Sequence, residues 1–152
     1  MSKVIVADSA CLIGLSRVNQ LAVLRELFGK AIIPPAVHYE VVVQGGARPG
    51  AKEVSSANWI EVVAVKDQLA VKALNLKLGL GESEAIVLAE EQAVDIIILD
   101  DWQARQTAFN LNLAVIGTLA VLSKAHEKGL IENLATVISD LQKSGFYFLG
   151  PL

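Results

Sequence analysis

Two short apolar runs that each end in acid constrain the fold of this chain more than any other feature. Val4-Ile5-Val6-Ala7 runs into Asp8, and Ile96-Ile97-Ile98-Leu99 runs into Asp100 and Asp101. Each run is strand-sized, free of polar interruptions, and followed at once by sequence whose apolar positions have helical spacing. An apolar run without alternation suits a strand buried on both faces, and such strands belong to parallel sheets covered by helices. Two βα units of this kind deliver acids to the carboxyl end of one sheet, where open α/β sheets bind their ligands. Asp8 and Asp100 are therefore expected to share one metal-binding acidic site.

The segments between these runs alternate in the same manner. Residues 9–18 carry Leu12, Ile13 and Leu15 at helical spacing behind Ser9, which is placed to cap the helix start. Asn19 is expected to cap a second helix over 20–28, which Gly29 stops. Residues 30–33 read as the second strand, and Pro34-Pro35 ends it where a new helix begins. The glycine-rich stretch 44–50 is a surface loop. Beyond it come a short helix over 51–57, a strand over 59–65, a helix from the Asp67 cap to 78, and a helix over 82–92. Helices over 102–111, 118–128 and 133–143 follow, with a strand at 114–116 and Thr118 as a cap. The tail 146–149 is expected to add an edge strand or to dock on a neighbouring subunit. This alternation predicts one α/β domain over 1–152, a parallel sheet of about five strands between helices.

Length and composition bound what such a domain can be. A chain of 152 residues buries roughly 70% of its unfolded surface, enough for a full core. Apolar residues make up 53% of it, a surplus that predicts a further apolar interface, for which a two-fold homodimer is the commonest solution. No apolar stretch reaches the roughly 20 residues of a membrane span. Met1-Ser2-Lys3 leads straight into strand and resembles no secretory signal, so a cytoplasmic location is expected. The single cysteine, Cys11, has no partner for a disulfide or zinc pattern and reads as a small buried hydrophobe. The net charge of −3 argues against a broad phosphate-gripping surface, so any nucleic-acid contact must be local.

Helix phase decides which acids join Asp8 and Asp100. Glu40 lies beside Val37 and Val41 on the helix from Pro35, and so flanks the inward face. Glu82 and Glu84 point about 200° apart on one helix, so only one of them turns inward. Val87 and Leu88 favour Glu84, and Glu82 is expected to face water. Asp8, Glu40, Glu84 and Asp100 then offer carboxylates from separate elements. Such like charges repel strongly without a cation, and Mg2+ or Mn2+ prefers oxygen ligands. An ion held there would activate a water and stabilise the leaving oxygen of a phosphodiester. His38 and His126 are too far apart in pattern for a zinc site. A phosphate-receiving domain would carry an acidic pair where Asp8 stands alone, and a haloacid-dehalogenase-like phosphatase would need Asp-x-Asp. Neither GxxxxGK[ST] nor GxGxxG occurs.

Taken in order, several of these motifs resemble the PIN-domain nucleases over nearly the whole chain. They are Asp8-Ser9-Ala10-Cys11-Leu12-Ile13 after a strand, Ile33-Pro34-Pro35-Ala36-Val37 followed by Glu40-Val41, Gly81-Glu82-Ser83-Glu84-Ala85-Ile86, and Leu99-Asp100-Asp101. Gly117-Thr118-Leu119 resembles a segment of the bacterial and archaeal branch. The resemblance implies a three-layer α/β/α fold, Mg2+ or Mn2+, and cleavage of single-stranded RNA, often by the toxin of a toxin–antitoxin pair. It places the catalytic acids at Asp8, Glu40, Glu84 and Asp100, with Asp8, Glu84 and Asp100 as metal ligands. Ser9, Asp101, Trp102 and Thr118 lie beside these acids as candidates for supporting them or touching substrate. Trp102 departs from the family pattern, where many relatives carry a polar or charged residue; it is expected to pack half-buried, or alternatively to stack on a base. A reading from another class is a partner-binding module, its acidic pocket filled by the basic arm of an antitoxin protein in place of metal.

Overall fold

The computed structural model describes residues 3–146. At its centre is β1 (Lys3–Ala7), whose Ile5, Val6 and Ala7 are wholly buried because helices cover both faces. Parallel partners flank it, β2 (Gly29–Ile33) with Ala31 opposite Ile5 and β4 (Ile96–Ile98) with Ile96 opposite Ile5. β3 (Ile60–Val62) and β5 (Val115–Ile116) complete a five-stranded parallel sheet in the order β3-β2-β1-β4-β5. The chain works outward from β1 to β3 and then crosses back to lay β4 and β5 on the other side. Strand order thus reverses between β1 and β4, the point at which open α/β sheets form their ligand crevice.

Alternation along the strands divides the interior into two cores. Ile5, Ala7 and Ile98 face α1 (Ser9–Arg17), α2 (Ala22–Phe28), α8 (Thr118–Glu127) and α9 (Leu134–Lys143), which contribute Leu12, Leu15, Leu24, Leu122 and Leu141. Val6, Ile97 and Leu99 face the opposite core, built by α5 (Gln68–Asn75), α6 (Leu80–Gln92) and α7 (Trp102–Asn110) through Val71, Ile86, Leu88, Ala104 and Ala108. The result is a three-layer α/β/α sandwich, as the sequence leads one to expect. Two further short helices lie between strands: α3 (Pro35–His38) follows the carboxyl end of β2, and α4 (Ala51–Ser56) leads into β3. Among the described residues no helix is long and apolar enough to cross a membrane.

Several local expectations shift. Asn19 does not cap α2; it takes the left-handed conformation (φ 58°) that closes α1, and α2 starts behind Leu21 without a side-chain cap. The helix from Pro35 does not continue as α-helix: after His38 it widens into a π-helical turn, Tyr39–Val43, which carries Glu40. Thr118 is the first residue of α8 rather than its cap, because Gly117 occupies the capping position and the Thr118 hydroxyl is engaged elsewhere. The expected third strand and the helix after Asp67 are both shorter than their apolar patterns. Of the tail, Phe146 is half-buried over Gly14, and 147–149 lie outside the described residues.

Candidate active site

Asp8 ends β1 and caps α1, so its position is fixed by two elements at once. Only 4% of it is exposed, and its Oδ1 accepts from the Ser9 amide at 2.7 Å and the Ser9 hydroxyl at 3.2 Å. Burial pushes its carboxyl up from 3.8 to about 7, with the charges of Glu82 and Glu40 acting in the same direction and the Ser9 bonds opposing them. The Ser9 hydroxyl also stands 3.3 Å from Glu40 Oε1. It has one proton to donate, so it links the two acids by serving either.

Glu40 reaches the site through space that a glycine leaves open. A Cβ built on Gly81 would collide with Glu40 Oε1. Burial raises the Glu40 carboxyl, and Glu84 adds to the rise against the Ser9 bond. Glu82 does not face water, contrary to the phase argument. It lines a cavity of about 220 Å3 together with Asp8, Ser9, Ala10, Glu40, Gly79 and Gly81. Its Oε1 accepts from the Gly79 amide at 3.2 Å, closing the start of α6. Burial raises its carboxyl too, followed by the charges of Asp101 and Glu40, with the Gly79 bond opposing. Glu84 turns the other way around the helix. Its Oε1 takes the Ala36 amide at 2.9 Å, at the start of α3, and it lines a neighbouring cavity of about 420 Å3 with Glu40, Tyr39 and Gln44.

α6 has no single inward stripe, so its own apolar residues do not fix which of Glu82 and Glu84 turns inward. Residues 85–89 are all buried, so Val87 and Leu88 do not mark one face. The spacing Gly79…Glu82 was the available signal, since it places an acid to close the helix start at the sheet's carboxyl edge.

Asp100 follows β4 on the other side of the strand-order reversal. Both of its oxygens are held by one residue, Oδ1 by the Thr118 amide at 2.8 Å and Oδ2 by the Thr118 hydroxyl at 2.5 Å. Burial raises its carboxyl, while these bonds and the nearby Arg105 guanidinium pull it down. Arg105 was not anticipated; it is brought in by its place one turn beyond Asp101 on α7. Asp101 caps α7, its Oδ2 accepting from the Ala104 amide at 3.0 Å. Trp102 is 63% exposed, so it is not a half-buried core residue. Cys11 is buried beneath the acids, and burial pushes its thiol up, so it behaves as a small apolar residue.

These donors match a hard divalent cation in kind, being carboxylates with one hydroxyl between them. No lysine or arginine among the described residues lines the cavity that holds Asp8, Glu40 and Glu82, so within that lining the hydrogen bonds from Ser9 and the Gly79 amide are what oppose their mutual repulsion. Among the described residues no group of three or more His, Cys, Asp or Glu side chains is arranged to hold a metal ion, so the acids do not form a finished coordination shell.

The family model DUF3368, a PIN domain, matches residues 4–150 of the chain. The chain belongs to the PIN-domain family. Its members are in general nucleases, hydrolases of phosphodiester bonds that use divalent metal ions. No curated protein matches the sequence.

Proposed function

We propose that this protein is a metal-dependent endoribonuclease that cleaves single-stranded RNA in the cytoplasm. The observation that carries the reading is the Asp8 carboxyl, buried at the strand-order reversal beside Glu40 and Glu82 with no basic residue among the described residues of the cavity lining. Such a group binds a proton or a cation, and a divalent cation held there is one means of activating water for phosphodiester hydrolysis. Asp8 would hold it from β1, with Glu40 and Glu82 of the same cavity as further donors, and Asp100, which lines the adjoining cavity, would approach it from the other side of the reversal. When bound, the ion supplies an activated water and neutralises charge on the phosphodiester.

The chain's own residues do the positioning. Ser9 orients the Asp8 and Glu40 carboxylates, Thr118 fixes both oxygens of Asp100, and Gly81 leaves room for Glu40. Glu84 steadies the start of α3 next to Glu40. The test is cleavage of a mixed single-stranded RNA with Mg2+ or Mn2+ against a chelator control. Asp8→Asn should abolish the cleavage seen with wild type, and retained activity would remove Asp8 from the mechanism.

The acid excess of the cavity also favours a role as the toxin of a toxin–antitoxin pair, with an arginine or lysine arm of a partner protein entering in place of metal. Co-purification with the product of an adjacent small gene, and loss of cleavage in that complex, would support this role. Full activity in its presence would exclude it.

A further inference from the structure

A cavity of about 530 Å3 opens beside the acids, and its walls differ from theirs. Asp100 and Asp101 bound one part of it, Ile13, Gly14 and Phe146 give it an apolar floor, and Arg17 supplies its cation. The floor exists because Gly14 has no side chain, since a Cβ there would stand 2.8 Å from the Phe146 ring. Arg17 is exposed at the end of α1 but not loose, for its Nη1 donates to the Ser144 carbonyl at 3.0 Å. Among the described residues that is its one hydrogen bond, which leaves most of the guanidinium's donors for a ligand. Ala10 lines both this cavity and the one holding Asp8, so the two adjoin.

We propose that this cavity is the subsite for one unpaired nucleotide of the RNA substrate, its base lying against Ile13 and Phe146 and its outer phosphate on Arg17. The inference rests on the ribonuclease reading and adds to it a place for the strand next to the cut. Charge fixes the orientation: Asp100 and Asp101 repel a phosphate that has no cation with it, and Arg17 attracts one. An apolar floor with a cation at its edge suits a base joined to its phosphate, and such stacking tolerates any base. A base paired in a duplex cannot enter, so selectivity for single strands follows without sequence readout. A chain of net charge −3 thereby grips RNA through a local contact instead of a broad basic surface.

Two variants of the full chain separate charge from tether. Arg17→Lys keeps the charge and Arg17→Gln removes it, while both shorten the reach to the Ser144 carbonyl. On a labelled single-stranded oligoribonucleotide with Mn2+, Arg17→Gln should raise KM about tenfold and leave kcat nearly unchanged. It should also lower the salt slope of RNA binding by about 0.7, the share of one single-strand phosphate contact, while Arg17→Lys keeps the slope. An independent measurement uses wild type alone: a neutral methylphosphonate at the phosphate next to the cut should raise KM similarly, and add nothing further in Arg17→Gln. If wild type cuts RNA and neither the Arg17→Gln change nor the neutral phosphate alters KM or slope, the subsite is overturned, the ribonuclease reading stands, and the cavity is left to a partner's peptide. If wild type neither binds nor cuts RNA, the ribonuclease reading falls and the subsite with it.

Discussion

Asp8→Asn separates what the site costs the fold from what it does. The asparagine keeps the shape of the side chain, and its amide oxygen can still accept from the Ser9 amide that now sits 2.7 Å from Oδ1. It carries no charge to bury. At pH values below 3.8 the wild-type carboxyl is protonated in the folded and unfolded chain alike, so its burial adds no pH-dependent penalty. From there to about 7 the folded chain retains a proton that the unfolded chain has released, and stability falls as pH rises. Beyond about 7 the folded carboxyl ionises as well and the loss levels off; across that interval it amounts to about 4 kcal/mol. Because Glu40 and Glu82 share the cavity and relax when Asp8 is neutralised, urea titration at about pH 8 without metal should find the variant more stable by about 2–4 kcal/mol. At about pH 4 the two proteins should nearly coincide. A variant equal to or less stable than wild type at the higher pH would show that Asp8 ionises in the fold without penalty. The electrostatic case for a cation at this site would then fail.

Other perturbations address the remaining parts of the site. Mg2+ or Mn2+ should raise the melting temperature of wild type, a chelator should reverse the rise, and Asp8→Asn should respond much less, since a ligand stabilises only the state that binds it. Gly81→Ala should displace Glu40 and lower cleavage by about 100-fold while circular dichroism still reports a folded chain. Thr118→Val removes the hydroxyl bond to Asp100 and leaves the amide bond, so the Asp100 carboxyl should rise further and Mn2+ binding by calorimetry should need a higher pH. Glu82→Gln should reduce cleavage more than Glu84→Gln, whose amide oxygen can still accept from Ala36; the reverse order in a cleavage assay would return Glu84 to the metal.

Much of the fold was legible because its strands are simple. The runs that became β1 and β4 have no alternation to misread, and a strand buried on both faces at a sheet's centre has only one kind of neighbour available. Asp8 and Asp100 were legible for the same reason, since an acid that ends such a strand has a fixed address. The acids on helices were harder, because α6 is apolar on nearly all sides and its phase cannot be taken from its own residues. Which of Glu82 and Glu84 meets Asp8 is settled by where Gly79 starts the helix and by what Gly81 leaves empty. Arg105 left no periodic signal at all, because its role depends on the approach of β5 and Gly117 to Asp100, a contact between separate elements. Asn19 and Thr118 were placed at helix ends correctly but given the wrong duty there, as a cap competes with left-handed closure in one case and with a buried carboxylate in the other.

The pairing of β1 with β4 joins residues that lie far apart in the chain, Ile5 with Ile96 and Ala7 with Ile98. Synthesis runs from the N-terminus, so β1 and β2 are available to each other long before β4 exists. Asp8 waits without Asp100 through all of that interval, and Asp100 in turn waits for Thr118. An incomplete nascent chain therefore holds the acids without the arrangement that would let them act together. Under the proposed ribonuclease reading, the order of the strands works as a built-in delay: the acids cannot act together until the chain has been made as far as Thr118.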